Sequence, residues 1–370
     1  MVGLLISGCG PGGSSGGSAV TATGSTLTIY ASQPPAAART QAYDDVIDAE
    51  RMAFSQGGAK AGRFKLSLQV LDGAKLSENA RTAIQDKSSI AYLGELAPGT
   101  TPQSVEITNQ LDLLQVSPTD TAVYLTQASP ILSGSPGRFY PLSSSYHLTF
   151  ARVVPNTAQE AHAIVGEMQS LKLSKLYVAD DGTPYGASIA HEVRADAPSH
   201  GLTVVQGAAG ADAVFYGGSS AQGATRVLGQ AASTAPSAKL FVPSALYSDT
   251  FAAGLSSAAQ GALYVSTPGF SSGSLPSAGQ QFVSSFRSAY GHAPAPEAIF
   301  GYEAMSAVLA VLRQAGAHAN DRSTVVSDFE SLKNRSSVLG TYSIKGGDTT
   351  IAPFVFARLK GGHLVVPAHG

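Results

Sequence analysis

The sequence is poor in features that hold small secreted domains together or attract nucleic acid. Cys9 is the only cysteine among 370 residues, so no internal disulfide can form and packing must stabilise the fold. Lysine and arginine (23) almost balance aspartate and glutamate (25), without a basic run, which argues against a nucleic-acid partner. No later run approaches the roughly 20 apolar residues of a membrane helix. The chain is long enough for about two domains.

The single cysteine lies in a recognisable pattern. Cys9 closes the apolar and small run over 5–9 and is followed by a glycine- and serine-rich segment over 10–18. This layout is typical of a bacterial lipoprotein, in which the cysteine thiol carries the lipid and a flexible tether follows. The alternative is a lone thiol in a disordered N-terminus, since the residues before Cys9 lack a basic segment and are few. We expect residues 1–25 to be a trimmed lipoprotein signal and tether, with the lipid as the only membrane anchor.

After the tether, short β-branched runs alternate with amphipathic segments, and the pattern restarts after Phe150. This alternation predicts two α/β lobes with parallel sheets. The predicted strands are 27–30, 64–71, 90–94 and 113–117, then 176–179, 213–217 and 240–243, and finally 338–344 and 353–359. The predicted helices are 36–56, 77–86 and 101–110, then 157–171, 186–199, 220–233 and 248–257, and finally 276–290 and 298–315. The late helices suggest that the chain recrosses to cover the first lobe.

One connection in the second lobe is too short for this pattern. A strand-like run over 202–206 is followed almost at once by the strand over 211–217. A parallel crossover needs a dozen or more residues, so these two strands cannot be ordinary parallel neighbours. We expect this lobe to lack one helix, and its face there to be open or covered by the C-terminal segment or a partner.

Five segments, in order and spacing, resemble the type I periplasmic binding proteins, and most closely the leucine/isoleucine/valine-binding proteins of ABC transporters. They are GELAPGTTPQSVEITNQLDLLQVSP from Gly94, FARVVPNTAQ from Phe150, YVADDGTPYG from Tyr177, ADAVFYGG from Ala211 and GYEA from Gly301. The resemblance covers about 26–365. It implies two Rossmann-like lobes, 26–151 plus 269–333 and 152–268 plus 334–370, joined by a three-crossover hinge. It also implies a monomer that binds a small molecule in its cleft and delivers it to ABC permease subunits.

The ends of the predicted strands show where a ligand would bind. Loops that leave parallel strands at their C-terminal ends converge, and helix N-termini point into the space between them. In the two lobes these loops are 32–35, 95–101 and 117–121, and 179–185, 217–220 and 243–246. We expect the ligand contacts to come from these six loops.

The resemblance assigns ligand roles in the first lobe, with one mismatch. The serine that binds an amino acid carboxylate corresponds to Pro98, which has neither a hydroxyl nor an N–H group, and Thr100 or Thr101 could replace it. The loop that binds the ammonium corresponds to Thr119 and Thr121, on either side of Asp120. Each of these threonines could equally be a helix N-cap.

In the second lobe the resemblance assigns a tyrosine at Tyr185, but it departs at two other positions. An aromatic contact corresponds to Ser219, and the acid that pairs with the ammonium corresponds to Ser244. A buried ammonium without a carboxylate is costly. Either Asp120 or Asp181 supplies the charge, or the ligand is not an ordinary α-amino acid. We therefore expect leucine, isoleucine and valine to bind weakly; a purely structural Tyr185 remains the alternative.

The residues give little support to an enzyme. GxGxxG and GxSxG patterns occur over 8–16, but they lie inside the glycine-rich tether, and the eight histidines show no metal-ligand spacing. We expect no cofactor and no metal. A sensor subunit of the same fold, reporting to a signalling partner, is the alternative to a transport protein. An additional Tyr-, Ser- and Pro-rich stretch within 129–147, just before the first crossover, could form a lid.

Overall fold

The computed structural model describes residues 20–140, 148–271 and 273–367 and has two α/β lobes. The first lobe contains a six-stranded sheet of order β2-β3-β1-β4-β5-β6, parallel except for the β2–β3 hairpin. Its strand over 89–93 is buried throughout because helices cover both faces of the sheet. Its elements are β1 (Thr26–Ser32), α1 (Gln41–Gly57), β2 (Lys60–Ala61), β3 (Phe64–Leu71), α2 (Leu76–Gln85), β4 (Ser89–Leu93), α3 (Val105–Asn109), β5 (Leu114–Ser117) and β6 (Phe150–Arg152).

The second lobe contains a seven-stranded sheet of order β17-β16-β11-β10-β9-β7-β8. β7 to β11 are parallel, whereas β16 pairs antiparallel with β11 and β17 forms a hairpin with β16. Its elements are α4 (Thr157–Ser170), β7 (Lys175–Asp180), α5 (Pro184–Asp196), β8 (Thr203–Val205), β9 (Ala213–Gly217), α6 (Ala221–Thr234), β10 (Lys239–Val242), α7 (Asp249–Ala253), α8 (Ser257–Ala262), β11 (Leu263–Pro268), β16 (Phe354–Lys360) and β17 (His363–Val365).

Between β11 and β16 the chain returns to the first lobe. This return contains α9 (Ser277–Tyr290), α10 (Ala298–Ala315), α11 (Arg322–Glu330) and two small hairpins, β12 (Arg335–Ser337) with β13 (Gly340–Tyr342) and β14 (Ile344–Lys345) with β15 (Asp348–Thr349). Gly301 lets α10 approach α1 closely, because a Cβ there would lie 2.5 Å from the Val46 carbonyl oxygen. The chain therefore passes between the lobes three times, over 153–156, 269–276 and 350–353.

The two hairpins pack on the first lobe, whereas the sequence placed them in the second. The sequence assigned 334–370 to the second lobe. However, Val338, Leu339, Tyr342 and Ile344 are buried in the hydrophobic core of the first lobe. Only β16 and β17 join the second sheet.

The short connection of the second lobe has the predicted effect on strand order, but the face beside it is not open as the sequence led us to expect. β7 lies between β8 and β9 in the sheet, and residues 206–212 contain no helix. Tyr177 and Ala179 are half-buried on this part of the sheet, where a cavity of about 300 Å³ also involves Ala208, Val227 and Ala231. The connection and α6 cover most of the face. Among the described residues no helix has the length and apolar character needed to cross a membrane.

Candidate functional site

The loops of the two lobes meet where the sequence predicted a cleft. Tyr185, at the start of α5 in the second lobe, is buried in an apolar cluster whose other core members, such as Tyr124 and Phe139, belong to the first lobe. Gly99, in the loop after β4, has φ +80°, and a Cβ there would lie 2.7 Å from the Tyr185 Cβ. A glycine at this position therefore allows the lobes to touch. Thr183 caps α5 by accepting a hydrogen bond from the Gly186 N–H, which fixes Tyr185 on the first turn.

The Tyr185 side chain ends in an unpaired polar group. The residue is only 3% exposed, and its hydroxyl has no hydrogen-bond partner among the described residues. Burial raises the pKa of this phenol, the Glu160 carboxyl raises it further, and the nearby Thr121 and Ser244 hydroxyls oppose the shift. The Thr121 hydroxyl is also fully buried; it forms no hydrogen bond of normal geometry, but it lies within hydrogen-bonding range of both Tyr185 and Glu160. Two unpaired hydroxyls from opposite lobes thus lie beside one carboxyl group.

That carboxyl group, Glu160, was missed at the sequence level. It lies in the first turn of α4, after a capping box formed by Asn156 and Gln159. Glu160 Oε1 accepts a hydrogen bond from the Ser244 N–H at 2.6 Å, and Oε2 accepts one from the Ser244 hydroxyl at 3.1 Å; the Ser266 hydroxyl donates a further short bond. Burial raises the pKa of Glu160 despite these bonds. The resemblance expected an acidic residue at position 244, where the chain has a serine. Glu160 of α4 places a carboxyl group beside that serine.

A sequence signal for Glu160 did exist. In α4 the buried apolar residues are Ala161, Ile164, Val165 and Met168. Glu160 lies four residues before Ile164 and eight residues before Met168. This spacing places all three on the same face of a helix, so Glu160 belongs to the buried face. An acid on such a face needs a partner or a function.

Asp120, predicted as a ligand contact, is bonded within its own lobe. Its Oδ1 accepts hydrogen bonds from the N–H groups of Gly99 (2.7 Å) and Ala122 (3.0 Å), and its Oδ2 accepts one from the Thr101 N–H at 2.9 Å. The side chain is fully buried. Asp120 therefore fastens the loop after β4 to the loop after β5 and occupies the N–H groups of both.

The remaining predicted residues of the first lobe mostly serve these two loops. The Thr100 hydroxyl donates to the Ala97 carbonyl and the Thr119 hydroxyl to the Leu96 carbonyl, each at 2.6 Å, while the Thr101 hydroxyl accepts from the Glu95 N–H at 3.4 Å. Pro98 is buried in the same loop.

In the second lobe, Ser219 and Asp181 belong to a turn outside the buried junction. Ser219 is exposed, and its N–H donates to Asp181 Oδ2 at 3.0 Å. Asp181 Oδ1 accepts from both the N–H and the hydroxyl of Thr183. The Asp181 carboxylate thus closes the turn between β7 and α5, and these bonds do not connect it to Tyr185.

Two more buried acids border the junction. Glu95 accepts hydrogen bonds from the hydroxyls of Ser32 and Tyr92, and burial raises its pKa to about 7. Glu297 accepts one from the Thr267 hydroxyl, and burial together with Glu160 raises its pKa to about 8. None of the ion pairs among the described residues involves either acid, Asp120 or Glu160.

A cavity of about 920 Å³ opens between the lobes next to these acids. Asp45 lines it from the first lobe, Tyr247 and Asp249 from the second, and Pro296, which precedes Glu297, from the loop between α9 and α10. Glu297 also raises the pKa of Tyr247, after the larger effect of burial. The cavity therefore reaches the chain neighbour of Glu297, whereas Glu95, Asp120 and Glu160 are not among the residues that line it.

Two other expectations concern neighbouring segments. Of the predicted insertion, Phe139 and Tyr140 are buried in the cluster that contains Tyr185, while 141–147 and Cys9 lie outside the described residues.

The histidines were expected to show no ligand arrangement, but His162 and His200 converge on Asp196 because α4 and α5 pack together. Their pairing resembles surface ion pairs, and His162 is exposed.

Known proteins share this architecture. A family model described as "Periplasmic binding protein" matches residues 46–363. An ABC transporter substrate-binding protein from Desulfitobacterium hafniense, solved with Leu, is 21% identical over 92% of this chain and 100% of that one, with a TM-score of 0.73. A leucine binding protein from Thermotoga maritima is 17% identical over 93% and 97%, with the same TM-score. A solute binding protein from R. palustris, solved with benzoate, is 17% identical over 92% and 95%, with a TM-score of 0.68.

A comparison with curated protein sequences gave no match. At these identities the solved structures establish a shared fold, and that fold agrees with the type I architecture that the sequence resemblance implied. The family match extends over most of the chain and describes binding proteins rather than enzymes. The chain therefore belongs to the periplasmic binding protein family, whose members bind small molecules outside the cytoplasm.

Proposed function

We propose that the protein is the solute-binding component of an ABC importer, which closes its two lobes on a small polar ligand and presents it to the permease subunits. The observation that carries this proposal is the burial of Tyr185 from the second lobe against Gly99 and Tyr124 of the first. A ligand that contacts both lobes stabilises the closed form by its differential affinity for that form.

The proposed contacts fall into two groups. Thr121, Tyr185 and Ser244 surround the buried junction and are the contacts with the ligand. The remaining proposed residues form the cleft walls or its rim: Pro98, Thr100, Thr101, Thr119, Asp120 and Ser219. A micromolar ligand would gain about 8 kcal/mol on binding, which a few buried polar contacts and apolar burial can supply.

A thermal-shift screen tests this proposal. Solutes that bind only the native state raise the melting temperature, so amino acids, amides, amines, short peptides and aromatic acids are screened against the wild type. Leucine and benzoate in the crystallised relatives justify such a wide range. We expect at least one solute to stabilise the protein, and Tyr185→Ala to reduce that effect. No stabilisation by any solute would contradict a binding function.

We also propose that Cys9 carries the lipid that anchors the protein to the bacterial cell membrane. The support is the run of apolar and small residues before Cys9 and the glycine- and serine-rich tether after it. When expressed behind a lipoprotein signal, the protein should partition into the detergent phase and Cys9→Ala should stay in the aqueous phase. Equal partitioning of the two would remove the anchor from the proposal.

A further inference from the structure

The unpaired hydroxyls of the junction indicate what kind of group the site lacks. Tyr185 Oη and Thr121 Oγ1 are buried, come from opposite lobes and have no hydrogen-bond partner among the described residues. Both lie beside Glu160, whose carboxylate can only accept hydrogen bonds. An ammonium group has three N–H donors and no acceptor, so one carboxylate and two hydroxyl oxygens match its requirements.

The charge of the cleft favours the same group. Glu95, Asp120, Glu160 and Glu297 are buried near the junction, and no ion pair of the described chain includes them. The buried cation Arg152 donates a hydrogen bond to the Asp120 backbone carbonyl. However, Arg152 already forms an ion pair with Asp348 at 2.9 Å. A ligand cation would offset this concentration of acidic groups.

Tyrosine rings surround the acids. Tyr43 and Tyr124 on the first lobe, and Tyr185 and Tyr247 on the second, each have a pKa raised by burial and then by one or more of these carboxyl groups. Each of these tyrosines therefore lies near at least one of the acids. Aromatic faces attract organic cations.

A ligand carboxylate, by contrast, finds three backbone donors of the first-lobe wall already occupied. The N–H groups of Gly99, Thr101 and Ala122 donate to the Asp120 carboxylate, and Pro98 has no N–H. A second carboxylate at this wall would have to displace Asp120 and would meet like charge. Asp120 therefore occupies three backbone donors of the two loops from which first-lobe ligand contacts were expected.

We propose that the cleft binds a small organic cation without a carboxylate, whose ammonium group is held by the Glu160 carboxylate and the Tyr185 and Thr121 hydroxyls. This inference rests on the proposed solute-binding function and assigns its ligand class. It adds Glu160 as the residue that recognises the charge.

Matched probes test the ligand class. Leucine is compared with 3-methylbutylamine, which has the same side chain but no carboxylate, and with 4-methylpentanoate, which has no amine. Methylamine, choline and putrescine extend the amine set to other sizes. We expect at least one amine to raise the melting temperature of the wild type and to bind in calorimetry, and 4-methylpentanoate to do neither.

Two variants separate recognition from folding. Glu160→Gln keeps the shape of the side chain and should weaken amine binding at least tenfold. The matched control is Glu303→Gln, because Glu303 is also a buried acid but lies in α10, bonded to Arg335 and Tyr342; it should leave amine affinity unchanged. Should Glu160→Gln not fold, Tyr185→Phe removes one of the three acceptors and should also weaken binding.

Several results would overturn the inference. They are binding of leucine or 4-methylpentanoate without binding of any amine, unchanged amine affinity in Glu160→Gln or Tyr185→Phe, and no response to any amine. The proposed solute-binding function is judged separately, by the wide screen. It survives these results if another solute stabilises the wild type, and fails only if none does.

Discussion

Asp120 on the first-lobe wall of the cleft and Glu160 on the second-lobe wall are both fully buried carboxyl groups, yet their surroundings differ. Asp120 accepts three backbone N–H groups from two loops of its own lobe. Glu160 accepts bonds from Ser244 and Ser266, and unpaired hydroxyls of Tyr185 and Thr121 lie next to it. Buried polar groups are normally satisfied. Asp120 is therefore satisfied within its own lobe, whereas Glu160 and the two hydroxyls beside it would be completed by a ligand.

The largest expected effect comes from removing the first of these carboxyl groups. Asp120→Ala leaves three N–H donors unpaired, and each costs about 1–3 kcal/mol when buried, so the free energy of unfolding should fall by about 3–9 kcal/mol. Added formate should restore part of this loss by occupying the same N–H groups, and should leave the wild type unchanged. Denaturant unfolding with and without formate measures both effects.

Asp181→Ala is the matched control for that change. Asp181 also accepts three hydrogen bonds, from Thr183 and Ser219, but in a turn where water can replace it. Its loss should cost well under half as much. Equal losses of stability, or stabilisation of the wild type by formate, would show that the three N–H groups around Asp120 are accessible to water or to added anions.

A smaller effect is expected from the buried acid between the two walls. The pKa of Glu297 rises from 4.5 to about 8, so the folded state retains a proton that the unfolded chain releases. The free energy of unfolding should then fall by about 1.4 kcal/mol for each pH unit between 4.5 and 8. Glu297→Gln should remove about 3 kcal/mol of the difference between pH 5 and pH 8, measured by denaturant unfolding. An unchanged pH dependence would contradict this assignment.

The smallest effect compares two buried unpaired hydroxyls of α5, those of Tyr185 and Ser188. Only the Tyr185 hydroxyl is a proposed ligand contact. Tyr185→Phe removes a buried unpaired group and should stabilise the free protein by about 1 kcal/mol, while weakening amine binding about tenfold. Ser188, on the same helix, has a buried unpaired hydroxyl too. Ser188→Ala should resemble Tyr185→Phe in stability and the wild type in amine affinity. Loss of affinity in both variants would point to a general disturbance of α5.

The contrast between the walls also explains how far the sequence could lead. Helices with clear periodicity and strands with β-branched runs were predicted, and α10 and β3 have the predicted bounds. α11 was missed because Thr324, Val325 and Val326 have poor helix propensity; burial of Val325 and Phe329 in the first-lobe core stabilises it. β11 was missed because it follows α8 directly, without a turn between them.

The site was harder to predict than the fold. Tyr185 and Thr121 were predicted from strand-end loops, and the structure brings them together; their ligand roles remain proposals. Two of the three partners of Asp120, Gly99 and Thr101, lie about twenty residues away in another loop, so these bonds could not be seen in the sequence. Glu160 and Ser244 are 84 residues apart in the sequence. They meet only through tertiary packing, in which α4 also contacts β11. Local pattern identifies elements, whereas the acceptor or donor that a side chain meets depends on tertiary packing.

The central claim, that Glu160 receives a ligand cation, is tested most directly by the pH dependence of amine affinity in calorimetry. Burial raises the pKa of Glu160, whereas an alkylamine stays charged below about pH 10. Affinity should therefore rise with pH, by up to about tenfold per unit, until Glu160 is ionised in the free protein. Glu95 and Glu297, with pKa values of about 7 and about 8, add to the rise at and above neutral pH. Asp120 keeps its backbone partners, and the Tyr185 phenol stays protonated. Glu160→Gln should flatten the lower part of the profile. An affinity that is constant or falls as pH rises, or a profile unchanged in Glu160→Gln, would contradict the claim.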